Sequence, residues 1–247
     1  MARFALPPLQ TLFAPAIFRR GDETSLVREF FGSKRGVFVE VGANDPVVGS
    51  QTFHLEQCGW SGILVEPLAE CVDRLRRTRS ATVYAVAAGA PADEGKQLPL
   101  LVAGGLSTLG ERIKEGVAPK ERRLVPIRTL NSMLTEAQIE KIDFLSIDVE
   151  GAEIAVLEGL DLRKFAPDLI LLEDDVHDLV KHRQMVAHGY RLFRRTHLNN
   201  WYVPNGTKIQ ISLYGKWQIF RKLILGAPLR RWRYKLSRKS KGGILDA

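Results

Sequence analysis

Cysteine is scarce: of 247 residues only Cys58 and Cys71 carry a thiol, and neither stands in a Cys-x-x-Cys or Cys/His spacing. A disulfide framework and a zinc site of ordinary spacing are thereby excluded, and a reducing compartment fits best. No apolar run of about 18 residues occurs, so a membrane-spanning helix is not expected. Internal repeats and a Ser/Gly-rich linker are also missing, which fits one globular domain. The remaining composition, 45% hydrophobic and 26% charged, is that of an ordinary folded chain rather than a disordered or fibrous one.

Acids are nearly absent from one end. Residues 207–247 hold eleven Lys or Arg against the single acid Asp246, whereas the whole chain has 36 basic and 28 acidic residues and a net charge of +8. The body, residues 1–206, is therefore slightly acidic at −2, and the tail makes the protein basic. Trp217, Ile219, Phe220, Leu223 and Trp232 are interleaved with those cations, a pattern suited to an anionic membrane surface. A nucleic-acid patch competes with that reading, as does a helix packed by its apolar side with a solvated basic face. At the other end, Pro7, Pro8 and Pro15 interrupt the greasy stretch 4–18. That breaks the helical core of an export signal and leaves residues 1–35 as a docking or lid segment. The expected setting is the cytoplasm, with peripheral contact on the inner face of a membrane.

Between the ends, short apolar runs stop at glycine or acid. Residues 37–41 end at Gly42, 62–65 at Glu66, 144–147 at Asp148 and 169–172 at Glu173. The first two have the form of buried strands. Helical spacing is found over 50–58, 68–78 and 152–160, and 81–87 is a further expected strand. Strand and helix alternating at this cadence give parallel βαβ units, an α/β fold with helices on both faces of a mostly parallel sheet. Ligands of such sheets bind outside the carboxyl ends of the strands. Here those ends carry an acidic rim of Glu40, Glu66, Asp148 and Glu173 to Asp175.

The turn after the first run lacks the Gly-x-Gly-x-x-Gly start that holds a dinucleotide pyrophosphate, since Gly42 is followed only distantly by Gly49. A single glycine turn allows close approach to a nucleoside, and an acid after the second strand can accept both ribose hydroxyls. Glu40 would repel a pyrophosphate but accept a hydrogen bond from an ammonium. The combination points to S-adenosylmethionine.

Four segments carry a family resemblance: Phe38-Val-Glu-Val-Gly-Ala-Asn-Asp45, Gly59-Trp-Ser-Gly-Ile-Leu-Val-Glu-Pro67, Arg128-Thr-Leu130, and Ile142-Asp-Phe-Leu-Ser-Ile-Asp-Val-Glu-Gly-Ala-Glu153 followed by Val156-Leu-Glu-Gly159. In this order they resemble the FkbM family of S-adenosylmethionine-dependent methyltransferases over roughly 36–204. The resemblance implies a seven-stranded class I methyltransferase (Rossmann-like) sheet over 36–206 and methyl transfer to oxygen. The implied acceptor is a sugar hydroxyl of a glycan or glycolipid. By position, Glu40, Gly42 and Asn44 would hold the methionine part, Glu66 the ribose, and Ala87 would lie beside the adenine.

Transfer to a hydroxyl needs an aligned oxygen and a route for its proton. Asp148, Asp174 and Asp175 form a candidate oxygen-ligand set for Mg2+ or another divalent cation, similar to the metal site of catechol-type O-methyltransferases. They could equally cap helices. Without a metal, His177 is the expected general base. Asp148, Glu150 and His177 are thus the candidate catalytic residues; a nucleic-acid methyltransferase guided by the basic tail and a non-catalytic membrane-associated protein are the alternatives, and nucleic acid is not expected as a partner. Gly104, Gly105 and Ser107 suggest a mobile cover. Asn199, Asn200, Trp201 and Tyr202 read either as a sugar grip or as a buried strand.

Overall fold

The computed structural model describes residues 21–109, 118–174, 179–196 and 198–226. In chain order the elements are α1 (Gly21–Phe31), β1 (Val37–Val41), α2 (Phe53–Glu56), β2 (Ser61–Val65), α3 (Ala69–Thr78), β3 (Thr82–Tyr84), β4 (Ala87–Ala88), β5 (Gln97–Val102), β6 (Glu121–Arg128), α4 (Leu130–Glu136), β7 (Phe144–Ile147), α5 (Glu153–Glu158), β8 (Leu169–Glu173), α6 (Val180–Ala187), β9 (Tyr190–Thr196), β10 (Asn199–Pro204) and α7 (Leu213–Phe220). The last helix continues as a π-helical turn, Arg221–Leu225.

Seven strands form the main sheet in the order β3-β2-β1-β7-β8-β10-β9. β1, β2, β3, β7 and β8 run parallel, and β10 lies antiparallel between β8 and β9. β7 and β8 are buried at every position and β1 at all but its first, as expected of strands covered on both faces. Their alternation builds two cores. Val39, Val41, Ile63, Val65, Leu145, Ile147, Ile170 and Leu172 meet Leu130, Met133, Leu134, Val156, Leu157 and Met185 of α4, α5 and α6. On the opposite face, Phe38, Leu64, Phe144, Leu169, Leu171 and Trp201 meet Val27, Phe31, Leu55 and Leu75. The Phe144 and Trp201 rings stack there at 6.4 Å.

α1 belongs to that second core. Val27 is fully buried, and the buried Glu23 carboxylate accepts hydrogen bonds from Gln51, Thr196 and Asn199 side chains. The part of the expected docking or lid segment that is described is therefore an integral cover of the sheet, while residues 1–20 lie outside the described residues.

Three further differences have local causes. The strand expected over 81–87 divides: β3 stays in the main sheet, while Ala87 and Ala88 pair with Ile127 and Arg128 in a separate sheet of order β4-β6-β5. That small sheet packs Leu100, Val102, Val125 and Ile127 against Leu68 and Cys71 at the start of α3. The helix expected over 50–58 shortens to α2, because Ser50 Oγ accepts from the Phe53 amide while the Gln51 amide donates to Glu40. Finally, Trp201 and Tyr202 are fully buried in β10. The sugar-grip reading of 199–202 is replaced by the buried-strand reading.

Candidate functional site

The chain leaves β1 for β2 and β3 on one side and later returns through β7 on the other, so the switch point lies between β1 and β7. An open cleft of about 580 Å³, counting the space at its mouth, sits at the carboxyl ends there. Gly42, Asn44, Glu66, Ala87, Asp148 and Glu150 line it. Six of the residues singled out in the sequence thus converge, from four separate segments.

Gly42 is obligatory for a backbone reason. Its φ is +83°, and a Cβ there would lie 1.9 Å from the Asp148 carbonyl oxygen. The β1 and β7 turns therefore touch through a glycine. Asn44 follows at φ +44°, and Glu150 adopts φ +54°. Two non-glycine residues held left-handed at one cleft are a form of strain that gathers at functional sites.

Glu66 is buried, and its two carboxylate oxygens accept the backbone N–H groups of Asn44 and Leu68, each at 2.9 Å. Burial is the first cause that raises its pKa; those two amides oppose the rise. A carboxylate has about four lone-pair sites, so two amide donors leave it capacity for hydroxyls. Around it Val65, Leu68, Ala87 and Leu100 give apolar walls. An apolar slot with a carboxylate in its wall suits a nucleoside. The loop expected as a cover is present, with Gly104, Gly105 and Ser107 on the cleft wall. Ser107 Oγ donates to the Gly104 carbonyl and accepts from the Ala103 amide.

Glu40 does not line the cleft. It shares the Phe38 face of β1, and its carboxylate accepts from Ser50 Oγ, the Gln51 amide and Thr52 Oγ1. Arg79 lies 3.8 Å away, fully buried, and binds Glu56, Pro46, Ser50 and Thr52 as well. The expected role in holding the methionine part gives way to a structural one beneath the turn.

The acids at the mouth also regroup. Asp148, Glu150 and Glu173 offer carboxylate oxygens within 4.8 Å of one another. Asp148 is exposed by surface area, yet protein atoms crowd its carboxyl. Desolvation first, then the charges of Glu173 and Glu150 and a hydrogen bond to Glu173, push its pKa up to about 7. Lys181 braces two walls of this group, donating to the Glu173 carbonyl at 2.8 Å and pairing with the buried Glu153 at 2.7 Å. Glu153 in turn accepts the Gly151 amide.

Asp174 is not part of the cluster. It is fully buried and pairs with Lys222 at 2.7 Å and with the Asn200 amide at 2.6 Å, while Arg195 binds its carbonyl. The expected Asp148/Asp174/Asp175 ligand set is therefore corrected at its second member, which serves as a core anchor. Glu173, one residue earlier, stands in its place. Asp175 and His177 lie outside the described residues. Lys181 and the strained Glu150 backbone were not readable beforehand; only the Glu150-Gly151 pair, a turn signal, hinted at the latter.

A family model described as Methyltransferase FkbM domain matches residues 40–192. No curated protein matches the chain. Among solved structures, methyltransferase FkbM from Methylobacillus flagellatus KT is similar at a TM-score of 0.46 and 14% identity, over 68% of this chain and 43% of that one. The chain thus spans less than half of that protein's length. A putative RNA methyltransferase from Pyrococcus horikoshii is similar at 0.39 and 10% identity, covering 75% and 82% respectively. The N-terminal domain of human METTL16, solved with SAH, is similar at 0.39 and 13% identity, covering 74% and 68%.

Proposed function

The chain belongs to the FkbM methyltransferase family, and on that premise we propose that it methylates a hydroxyl, that of a sugar in a glycolipid, polysaccharide or lipid-linked glycan, using S-adenosylmethionine. The observation that carries the reading is the convergence of Gly42, Asn44, Glu66 and Ala87 with Asp148 on one cleft. The residues fit the cofactor: Glu66 would accept hydrogen bonds from the ribose hydroxyls, Ala87 and its apolar neighbours would cover the adenine, and the Gly42 turn would pass the methionine part. Bound there, S-adenosylmethionine supplies a methyl group on a sulfonium.

This chain's own residues handle the proton. A hydroxyl proton needs an acceptor whose pKa lies near the working pH, and a carboxyl raised to about 7 by its neighbours meets that need. Asp148 takes the proton of the acceptor oxygen, Glu150 and Glu173 hold its affinity high, and Lys181 keeps Glu173 and the Glu153 turn in place. The acidic mouth repels a phosphate backbone, which weighs against nucleic acid as acceptor.

The same three acids favour a second reading of that step. Three hard oxygen donors within 4.8 Å suit Mg2+, which would lower the hydroxyl pKa itself. Calorimetric titration with S-adenosylhomocysteine, with and without Mg2+, is the test. Micromolar binding is expected, and its absence would overturn the proposal. Methyl transfer to glycan acceptors surviving excess EDTA would leave Asp148 as the base and remove the cation.

A further inference from the structure

α7 and its π-helical continuation are built inside out. Gly215, Gln218 and Lys222 are buried, whereas Leu213, Trp217, Phe220, Ile224 and Leu225 are exposed by 75, 45, 43, 56 and 41%. Positions 213, 217, 220 and 224 follow the spacing of one helical stripe. The Trp217 and Phe220 rings lie together at 5.9 Å. Lys216 and Arg221 are exposed alongside. Single exposed apolar residues are ordinary, but a stripe of them on one helix marks a contact surface.

Rolling the helix to hide this stripe would break a buried contact: Lys222 Nζ holds Asp174 Oδ2 at 2.7 Å with both side chains fully buried, and Ile219 packs against the core on the same side. The packing alternative considered from the sequence, apolar side in and basic face out, holds only in part among the described residues: Ile219 packs against the core and Lys216 and Arg221 are solvated, but Lys222 is buried and Leu213, Trp217, Phe220 and Ile224 stay outside.

We propose that this stripe is an interfacial docking face that seats the protein on an anionic lipid surface. Aromatic and aliphatic side chains flanked by cations are the composition of a helix lying in a bilayer interface. The charge fits as well, because residues 207–247 carry eleven cations and one acid. The competing occupants fit less well. A second copy would set Lys216 and Arg221 against themselves, and residues 1–20 contain Arg3, Arg19 and Arg20 and no acid. A nucleic-acid surface would be led by cations rather than by Leu213 and Ile224.

The position of the face gives it a consequence for the reaction. Lys222 grips the residue that follows Glu173, so the docked helix ends beside the acid cluster at the carboxyl edge of the sheet. The acceptor class that this favours is a hydroxyl on a lipid-anchored molecule. That extension rests on the proposed methyltransferase function, whereas the docking itself does not.

Flotation of the full chain with phosphatidylcholine vesicles, with and without phosphatidylglycerol, tests the face. Binding to the anionic vesicles alone, weakened by salt, is expected. Trp217→Ser with Phe220→Ser, and separately Lys216→Glu with Arg221→Glu, should each reduce it about tenfold. S-adenosylhomocysteine titration of the same proteins certifies the fold, since none of these residues touches the cleft. Vesicle binding unchanged in the variants would overturn the proposal. So would a wild-type dimer that the aromatic variant dissolves, or binding to an RNA oligonucleotide in preference to vesicles. Lipid binding without S-adenosylhomocysteine binding would keep the docking face and sink the methyltransferase reading instead.

Discussion

Two carboxylates that look alike in the sequence have separable roles. Glu66 faces the cleft and Glu40 faces the Arg79 network. Glu66→Ala should weaken S-adenosylhomocysteine binding by about 1–3 kcal/mol, the range for a lost charge-assisted hydrogen bond. Glu40→Ala should leave that affinity nearly unchanged in folded protein and lower stability by about 3 kcal/mol, because buried donors and Arg79 lose their acceptor. Calorimetry and urea unfolding of both variants would reveal the reverse pattern if the assignments were exchanged. Asp148 gives a pH signature. A carboxyl whose pKa is raised to about 7 is protonated below that pH, so metal-free activity should climb through neutrality and level off above it. Glu150→Gln removes one repelling charge and should move the limb to lower pH. A limb that stays in place would show that Glu150 does not act on Asp148.

At the scale of elements, Arg79 is the tie between the end of α3 and the loop that joins β1 to α2. Its guanidinium reaches Glu56 at 2.7 Å, Thr52 at 2.8 Å, Ser50 at 3.1 Å and the Pro46 carbonyl at 3.2 Å. Arg79→Leu would keep the packing over Phe38 and Phe53 but take the cation from the buried Glu40 and the half-buried Glu56, at a cost of about 3 kcal/mol. Urea unfolding within 1 kcal/mol of wild type, about the noise of such comparisons, would refute the tie. The central strands were legible because short, mostly apolar runs of four or five residues stop at Gly42, Glu66, Asp148 and Glu173. β5 and β6 were not, since each contains a proline, Pro99 and Pro126, and β6 opens on three charges. Proline and charge read locally as loop or sheet edge, although β6 lies in the middle of the small sheet, between β4 and β5. The site was legible for a related reason. Residues at strand ends are placed by topology, so Gly42, Asn44, Glu66 and Asp148 converge once the strands are known. Glu40 was missed although period-2 alternation puts it on the Phe38 face, away from Val41 and the cleft. Asp174 was missed because its partners, Asn200, Arg195 and Lys222, come from distant parts of the chain.

For the whole molecule, the start of the basic tail is held to the body by a buried ion pair as well as by the packing of Ile211 and Ile219. Lys222 and Asp174 are both inaccessible to solvent, and Asp174 also accepts from Asn200 and leads out of β8 beside Glu173. Removing one partner of such a pair leaves an uncompensated buried charge, which costs about 3–5 kcal/mol. Truncation before residue 207 therefore removes a core contact along with the tail, and loss of activity in that protein would say nothing about membranes. Truncation after Gly226 retains Lys222 and deletes seven of the eleven cations of 207–247. The shorter truncation should melt near wild type and Lys222→Met should melt well below it, the gap being several degrees for a domain of this size. If Lys222→Met melted with the wild type, the helix would be held by its apolar neighbours alone, and the inward polar face would no longer explain why the outer one is greasy.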